Sequence, residues 1–195
     1  GNFAARGARA EADAAAEKLL ARPDLAVEDV RPVLPVLAAQ GRDDLVVRMV
    51  EMLRQKGLAA SADLEALGAA YARQGQLALA REALEAATAS RPDDAALLLA
   101  LARVAYEQKD LRGALGYLGH ARAVAPLDPR VHFFLGMVCV GLDLGAEAHT
   151  ALGEAVRLDP DNPEANYAFG SVAVHRKDPS EAIPYFRRYA ELRPG

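Results

Sequence analysis

The sequence predicts an all-α chain of repeated antiparallel helix pairs, and three observations carry that prediction. The prolines that close its helical stretches, Pro92, Pro126, Pro160 and Pro194, recur at a step of 34 residues. Two further series keep the same register: the small residues Gly68, Ala102, Gly136 and Gly170, and the alanines Ala80, Ala114, Ala148 and Ala182. A fixed period of this length marks the repetition of one supersecondary unit. Composition agrees with it. Of 195 residues 43 are Ala, 52% are hydrophobic, 6% are aromatic and none is Trp, which suits helices packed through small side chains and disfavours a β-sandwich or barrel.

Taken in order, residues 4–21 read as one Ala-rich helix with Ala12, Ala16 and Leu19 on its apolar side, ended by Pro23. Residues 27–57 read as a degenerate helix pair. Gly41 falls at its turn and Val46, Val50 and Leu53 at the apolar sites of its second helix, but Leu34 replaces the small residue of the first helix, which Pro32 and Pro35 interrupt. Residues 1–60 are expected to cap the stack. Four regular pairs follow, over 61–94, 95–128, 129–162 and 163–195.

In each first helix Leu67, Leu101, Leu135 or Phe169 stands just before the small residue, and Tyr71, Ala105, Cys139 or Ala173 three places after it, an i, i+4 apolar face. Each second helix repeats i, i+4, i+7, from Ala80, Leu84 and Ala87 to Ala182, Phe186 and Tyr189. Ala and Gly fall where the two axes must come close. Asp128-Pro129 and Asn162-Pro163 put an N-cap acceptor before a proline at the first helical position. Asp178-Pro179-Ser180-Glu181 adds a capping-box glutamate. Gly75, Lys109, Asp143 and Lys177 occupy the short turns inside the pairs.

A 34-residue helix–turn–helix unit with these residues resembles the tetratricopeptide repeat (TPR), over 61–194. The first-helix Trp of that family is replaced by Leu64, Leu98, His132 and Asn166. The resemblance implies a right-handed α–α superhelix, a TPR solenoid, whose first helices line a concave groove. It also implies a non-enzymatic role in protein–protein interaction, with a peptide or helical segment of a partner in that groove. Carried over residue by residue, the family's groove positions are nearly bare at Ala62, Ala66, Ala69 and Ala72. Toward the C-terminus they hold Leu99, Arg103, Tyr106, Arg130, Phe133, Phe134, Met137, Tyr167 and His175. Aromatics, Met and Arg are the residue types enriched in interface cores. Adjacent residues on a helix point about 100° apart, and His132, Leu135 and Gly136 already serve the packing face, so Phe133 and Phe134 exceed what packing requires. Some TPR domains clamp a carboxylate-terminated chaperone tail through Lys, Arg and Asn. Here the Asn positions hold Ala66, Ala100, Phe134 and Ala168, which speaks against that ligand. The competing reading is a scaffold or targeting segment of a larger enzyme or of a secretion or pilus-assembly protein.

Composition removes other classes. A net charge of −4 makes nucleic acid a poor partner, and the basic cluster Arg176, Lys177, Arg187 and Arg188 reads as a solvated face. One cysteine excludes an internal disulfide and any Cys-based zinc site. The longest apolar runs, Ala95–Ala102 and Phe133–Leu142, are too short to span a bilayer, so no membrane insertion is expected. His132 and Cys139 stand at i, i+7, roughly 10 Å apart and out of each other's reach. His120, His149 and His175 have no ligand-spaced partner. No phosphate loop, nucleophile elbow or His-Glu-x-x-His motif occurs. No catalytic residue, metal or cofactor is expected.

The chain begins at Gly1 rather than Met, so it reads as a processed piece from which a signal peptide has been removable, and its compartment, cytoplasmic or periplasmic, stays open. At the other end, Pro194-Gly195 directly follows a second helix. The expectation is self-association through that C-terminal helix, or continuation into a further unit. Ile183, Phe186 and Tyr189 are expected to face inward, and Tyr185 and Ala190 outward, on a helix bent at Pro184.

Overall fold

Apolar residues spaced three and four apart become helices along the chain. The computed structural model, which describes residues 13–22 and 26–193, is all-α, with no strand among the described residues. Its helices form antiparallel pairs, as the sequence predicts, and no helix is long and apolar enough to cross a membrane among the described residues. The chain divides into two compact units, Gly1–Pro92 and Asp93–Gly195.

The first unit contains α1 (residues 13–20), α2 (Val27–Val30), α3 (Leu34–Ala39), α4 (Asp43–Gln55), α5 (Ser61–Arg73) and α6 (Leu77–Thr88). Residues 4–12 of the expected first helix, Ala12 among them, and its closing Pro23 lie outside the described residues. Ala16 is fully buried. Pro32 divides what would be one helix into α2 and α3, and Pro35 sits in the first turn of α3, where a missing N–H costs no helical bond.

The break between α2 and α3 has a structural use. Arg31, in the turn, donates from Nε and Nη2 to Asp63 Oδ2 at 3.1 Å each, and from Nη2 to the Leu58 carbonyl at 3.3 Å. Asp63 is buried and also accepts the Ala60 N–H at 2.8 Å, tying down the start of α5. Replacing Arg31 with Ala strands that carboxylate, so urea denaturation is expected to show a loss of about 1–3 kcal/mol. A loss below about 0.5 kcal/mol, the range of ordinary surface changes, would mean that solvent already serves the carboxylate.

The second unit contains α7 (Ala95–Glu107), α8 (Leu111–Val124), α9 (Pro129–Gly141), α10 (Gly145–Leu158), α11 (Pro163–His175) and α12 (Pro179–Leu192). Its core runs continuously through Leu98, Leu118, Leu135, Leu152 and Phe169. The small-residue series is required by helix approach. A Cβ on Gly136 would lie 2.7 Å from Leu152 Cδ2, and one on Gly170 3.0 Å from the Phe186 ring. In the first unit a Cβ on Gly68 would lie 2.6 Å from Leu84 Cγ. His132 and Asn166, where the sequence lacks the family's Trp, each tie their helix to the proline that precedes it. His132 Nε2 lies 2.7 Å from the Pro126 carbonyl, and Asn166 Nδ2 donates to the Pro160 and Asn162 carbonyls at 2.9 and 2.8 Å.

The three N-cap acceptors hold as the sequence punctuates them, but the capping-box role expected of Glu181 does not, since both its carboxylate oxygens lie 3.0 Å from His149 Nε2. Asp128 accepts the Arg130 N–H, Asn162 the Ala165 N–H and Asp178 the Glu181 N–H. The Arg130 guanidinium beside Asp128 holds that carboxyl below its usual range, against an opposing effect of burial. A lowered folded-state pKa means that the cap's ionic contribution is present above the ordinary carboxylate pKa and is lost as pH falls through the lowered one. Melting temperature is therefore expected to fall less steeply below about pH 4 in Asp128→Asn than in the parent. Equal acid limbs would show that Asp128 contributes nothing by its charge.

The short turns share one backbone conformation. Gly41, Gly75, Lys109, Asp143 and Lys177, one per pair, have φ of 68, 74, 65, 60 and 65°. Only glycine adopts this left-handed region without a penalty. Lys109→Gly and Lys177→Gly are each expected to stabilise the chain by about 0.5–1 kcal/mol, read as a raised urea midpoint. A lowered midpoint would show that the lysine side chains contribute more than the backbone loses.

At the C-terminus the structure corrects the expected facing of α12. Ile183 is 56% exposed, whereas Tyr185 packs edge-on to Phe169 with ring centroids 4.5 Å apart. The inward face follows Ala182, Tyr185, Phe186 and Tyr189, an i, i+3, i+4, i+7 stripe, and Ile183 stands about 100° away from it. Pro194 and Gly195 lie outside the described residues.

Candidate functional site

Along α11, the residues Ala168, Ser171, Val172 and His175 recur at i, i+3, i+4 and i+7, so they share one face. Met137 and Val140 near the end of α9 stand at i, i+3. With Tyr167 and Arg176, with Asp143 in the α9–α10 turn, and with Gly145 and Ala148 at the start of α10, they line a cleft of about 410 Å³. The walls are chiefly apolar, and polar groups come from Asp143, Ser171, His175 and Arg176. Size and lining are those of a pocket for a few side chains, apolar with a small number of placed polar groups.

Tyr167 is the most prominent element. It is 53% exposed on the cleft, while its ring is backed by Phe186 and Tyr189 of α12 at centroid distances of 5.8 and 5.2 Å. A large ring held in place from behind loses little freedom on binding. Ser171 donates its hydroxyl hydrogen to the Tyr167 carbonyl at 2.8 Å, which leaves its oxygen lone pairs as acceptors.

Of the nine residues placed in the groove from the sequence, Met137, Tyr167 and His175 come together in this cleft. The others do not line it. Leu99 is buried in the core. Tyr106 packs against that core with the Lys109 ammonium 5.9 Å from its ring centre. Phe133 and Phe134 are half-buried on the core and meet edge-on at 5.3 Å. Arg130 is held by Asp128 at 2.7 Å, and Arg103 stands 3.9 Å from Glu107.

Sequence reasoning missed Asp143 and Arg176 as lining residues. The groove positions carried over from the family end at His175, and Asp143 reads as a turn residue. The one available signal was a charged side chain at a turn position that glycine fills elsewhere.

The remaining histidines and the cysteine have structural partners. His120 Nε2 lies 2.9 Å from Asp93 Oδ1, and His149 Nε2 lies 3.0 Å from both Glu181 oxygens with its ring 4.8 Å from that of Phe169. Cys139 is buried, and burial pushes its thiol pKa up, away from the nucleophilic thiolate. No group of three or more His, Cys, Asp and Glu stands ready to hold a metal among the described residues.

Two family models, both of the tetratricopeptide repeat, match residues 71–136 and 142–195, together more than half of the chain. No curated protein matches it in sequence. Among solved structures, MamA from Desulfovibrio magneticus RS-1 superposes with a TM-score of 0.76 at 23% identity, over 84% of this chain and 92% of that one. Another MamA crystal structure gives 0.73 at 19% identity, over 80% and 91%. MamA MSR-1 gives 0.69 at 24%, over 84% and 94%. At these identities the likeness is one of fold.

Proposed function

The chain belongs to the tetratricopeptide repeat family, and from that premise we propose that it is a non-enzymatic protein-interaction module whose second unit takes a peptide or helical segment of a partner. The cleft between α9 and α11 is the proposed seat. The observation that carries this reading is the half-exposed Tyr167, backed by α12 and set beside Met137 and Val140. Exposed apolar side chains on rigid helices are hot-spot material. His175, Arg176, Asp143 and the Ser171 oxygen supply polar contacts that fix the segment's register. Arg103, Tyr106, Arg130, Phe133 and Phe134 belong to the flanking groove, where a longer segment gains its secondary contacts, and Leu99, buried in the core, supports them without touching it. Arg103 is the more available cation, since Arg130 must first release Asp128.

A photo-crosslinking residue in place of Ser171 tests the site in native extract. A protein partner captured there, and lost when Tyr167→Ala and Met137→Ala are introduced with it, supports the reading. Capture that ignores both changes contradicts it. The expected partner is a protein and not a nucleic acid, consistent with a net charge of −4. For self-association through α12, the exposed side chain is Ile183 rather than Tyr185. Ile183→Glu is the variant expected to turn any dimer to monomer in sedimentation.

A further inference from the structure

Glycine inside a helix costs roughly 1 kcal/mol relative to alanine, so each one calls for a reason. Gly136 and Gly170 have theirs in the approach of α10 and α12, and a Cβ on Gly113 would collide with the capping Asp110 side chain. Gly116 and Gly119, in the middle of α8, have none, because a Cβ on either would meet nothing within 4 Å. Gly119 borders a groove of about 810 Å³, twice the volume of the α9–α11 cleft, formed between α8 and α10 with α9 as its floor. Leu115, Leu135 and Leu144 make its apolar surface. Its two walls differ in charge: Arg122 stands on α8 and Glu147 on α10, and neither has an ion pair or a side-chain hydrogen bond among the described residues. Glu154, on the same wall as Glu147, is held by Arg157 at 2.6 and 2.8 Å.

We propose that this groove, on the second-helix side of the unit, is a further docking site that takes an α-helix of a protein partner, basic on the edge facing Glu147 and acidic on the edge facing Arg122. Charge complementarity selects that occupant. The two side chains stand on opposite walls of the groove without pairing, so an incoming helix with the matching edges satisfies both and is fixed in direction. The apolar stripe of such a helix covers Leu115, Leu135 and Leu144. The bare Cα of Gly119 lets its axis come closer to α8 than any side chain at that position would permit. The site is separate from the α9–α11 cleft.

Display of a single-helix library randomised on one face, selected on the full chain, tests the proposal. Gly119→Leu is the decisive variant, since its side chain enters open space and improves helix propensity. It is expected to keep or raise the melting temperature while lowering the affinity of the selected helices by about tenfold or more. The selected edge is expected to carry Lys or Arg, and selection on Glu147→Lys to replace them by Asp or Glu. Helices that bind parent and Gly119→Leu equally, an absence of enriched helices on the parent, enrichment of Pro- or Gly-rich extended sequences, or an edge preference that ignores Glu147→Lys would each overturn it. Loss of the same helices in Met137→Ala would assign them to the other cleft and also overturn it.

Discussion

Gly136→Leu lowers the stability of the chain by about 1–3 kcal/mol or more, the largest effect on folding expected of any single substitution considered. The Cβ alone would fall 2.7 Å from Leu152 Cδ2 and 3.2 Å from the Leu152 backbone nitrogen, and a leucine adds three carbons beyond it. Side chains can rotate away, but the backbone of α10 moves only if α9 and α10 separate, which opens the core on both sides. Interiors are close-packed and do not absorb such volume cheaply. Ala148→Leu tests the register from the other helix of the pair, because Ala148 is fully buried on α10. Urea midpoints equal to the parent's in both variants would refute the 34-residue register. The contrast with Gly119→Leu in the same unit, expected to be neutral or stabilising, separates glycines required by packing from those that are not.

Tyr167→Ala and Met137→Ala each weaken partner binding by about 1–4 kcal/mol while far-UV circular dichroism stays as in the parent. Tyr167 is half-exposed and Met137 partly exposed on the cleft in the free chain, so binding loses the apolar surface they present, while the ring contacts of Tyr167 with Phe186 and Tyr189 add a smaller loss of stability. The double change is expected to be non-additive, since the two side chains line one cleft. Phe134→Ala behaves differently. Phe134 is half-buried on the core and lies edge-on to Phe133, so its loss is read chiefly in the melting temperature. A Phe134→Ala variant of unchanged stability but much reduced affinity would move the main anchor from the cleft to the flanking groove.

The contrast between Phe134 and Tyr167 shows where sequence reasoning has force. Helix boundaries, turns and packing glycines were legible because period, caps and small residues state the same register: the repeat alone puts Gly136 and Ala148 where the paired helices approach, whereas the contact of Gly136 with Leu152 is seen only in the structure. The left-handed turns were placed as well, although their strain at Lys109 and Lys177 was not, since lysine gives no local sign of positive φ and only Asp143 belongs to a residue type that favours it. The groove was legible only as a face. Which of its residues enclose a volume depends on how neighbouring helices diverge, and no spacing rule within one helix carries that information. Phe133 and Phe134 exceed the packing stripe on their own helix and still rest on the core. The facing of α12 failed for a related reason. Ile183 and Tyr185 stand on either side of the Ala182, Phe186 and Tyr189 stripe, and no spacing within one helix says which side a neighbouring helix covers.

Hydrogen exchange of the full chain, free and bound to its captured partner, tests the central claim most directly. Binding in the α9–α11 cleft is expected to slow exchange at the end of α9 and the following turn, residues 137–145, and along α11 over 167–176, with α5 and α6 unchanged. Protection confined to the first unit, or to the second helices with no change over 167–176, would contradict it.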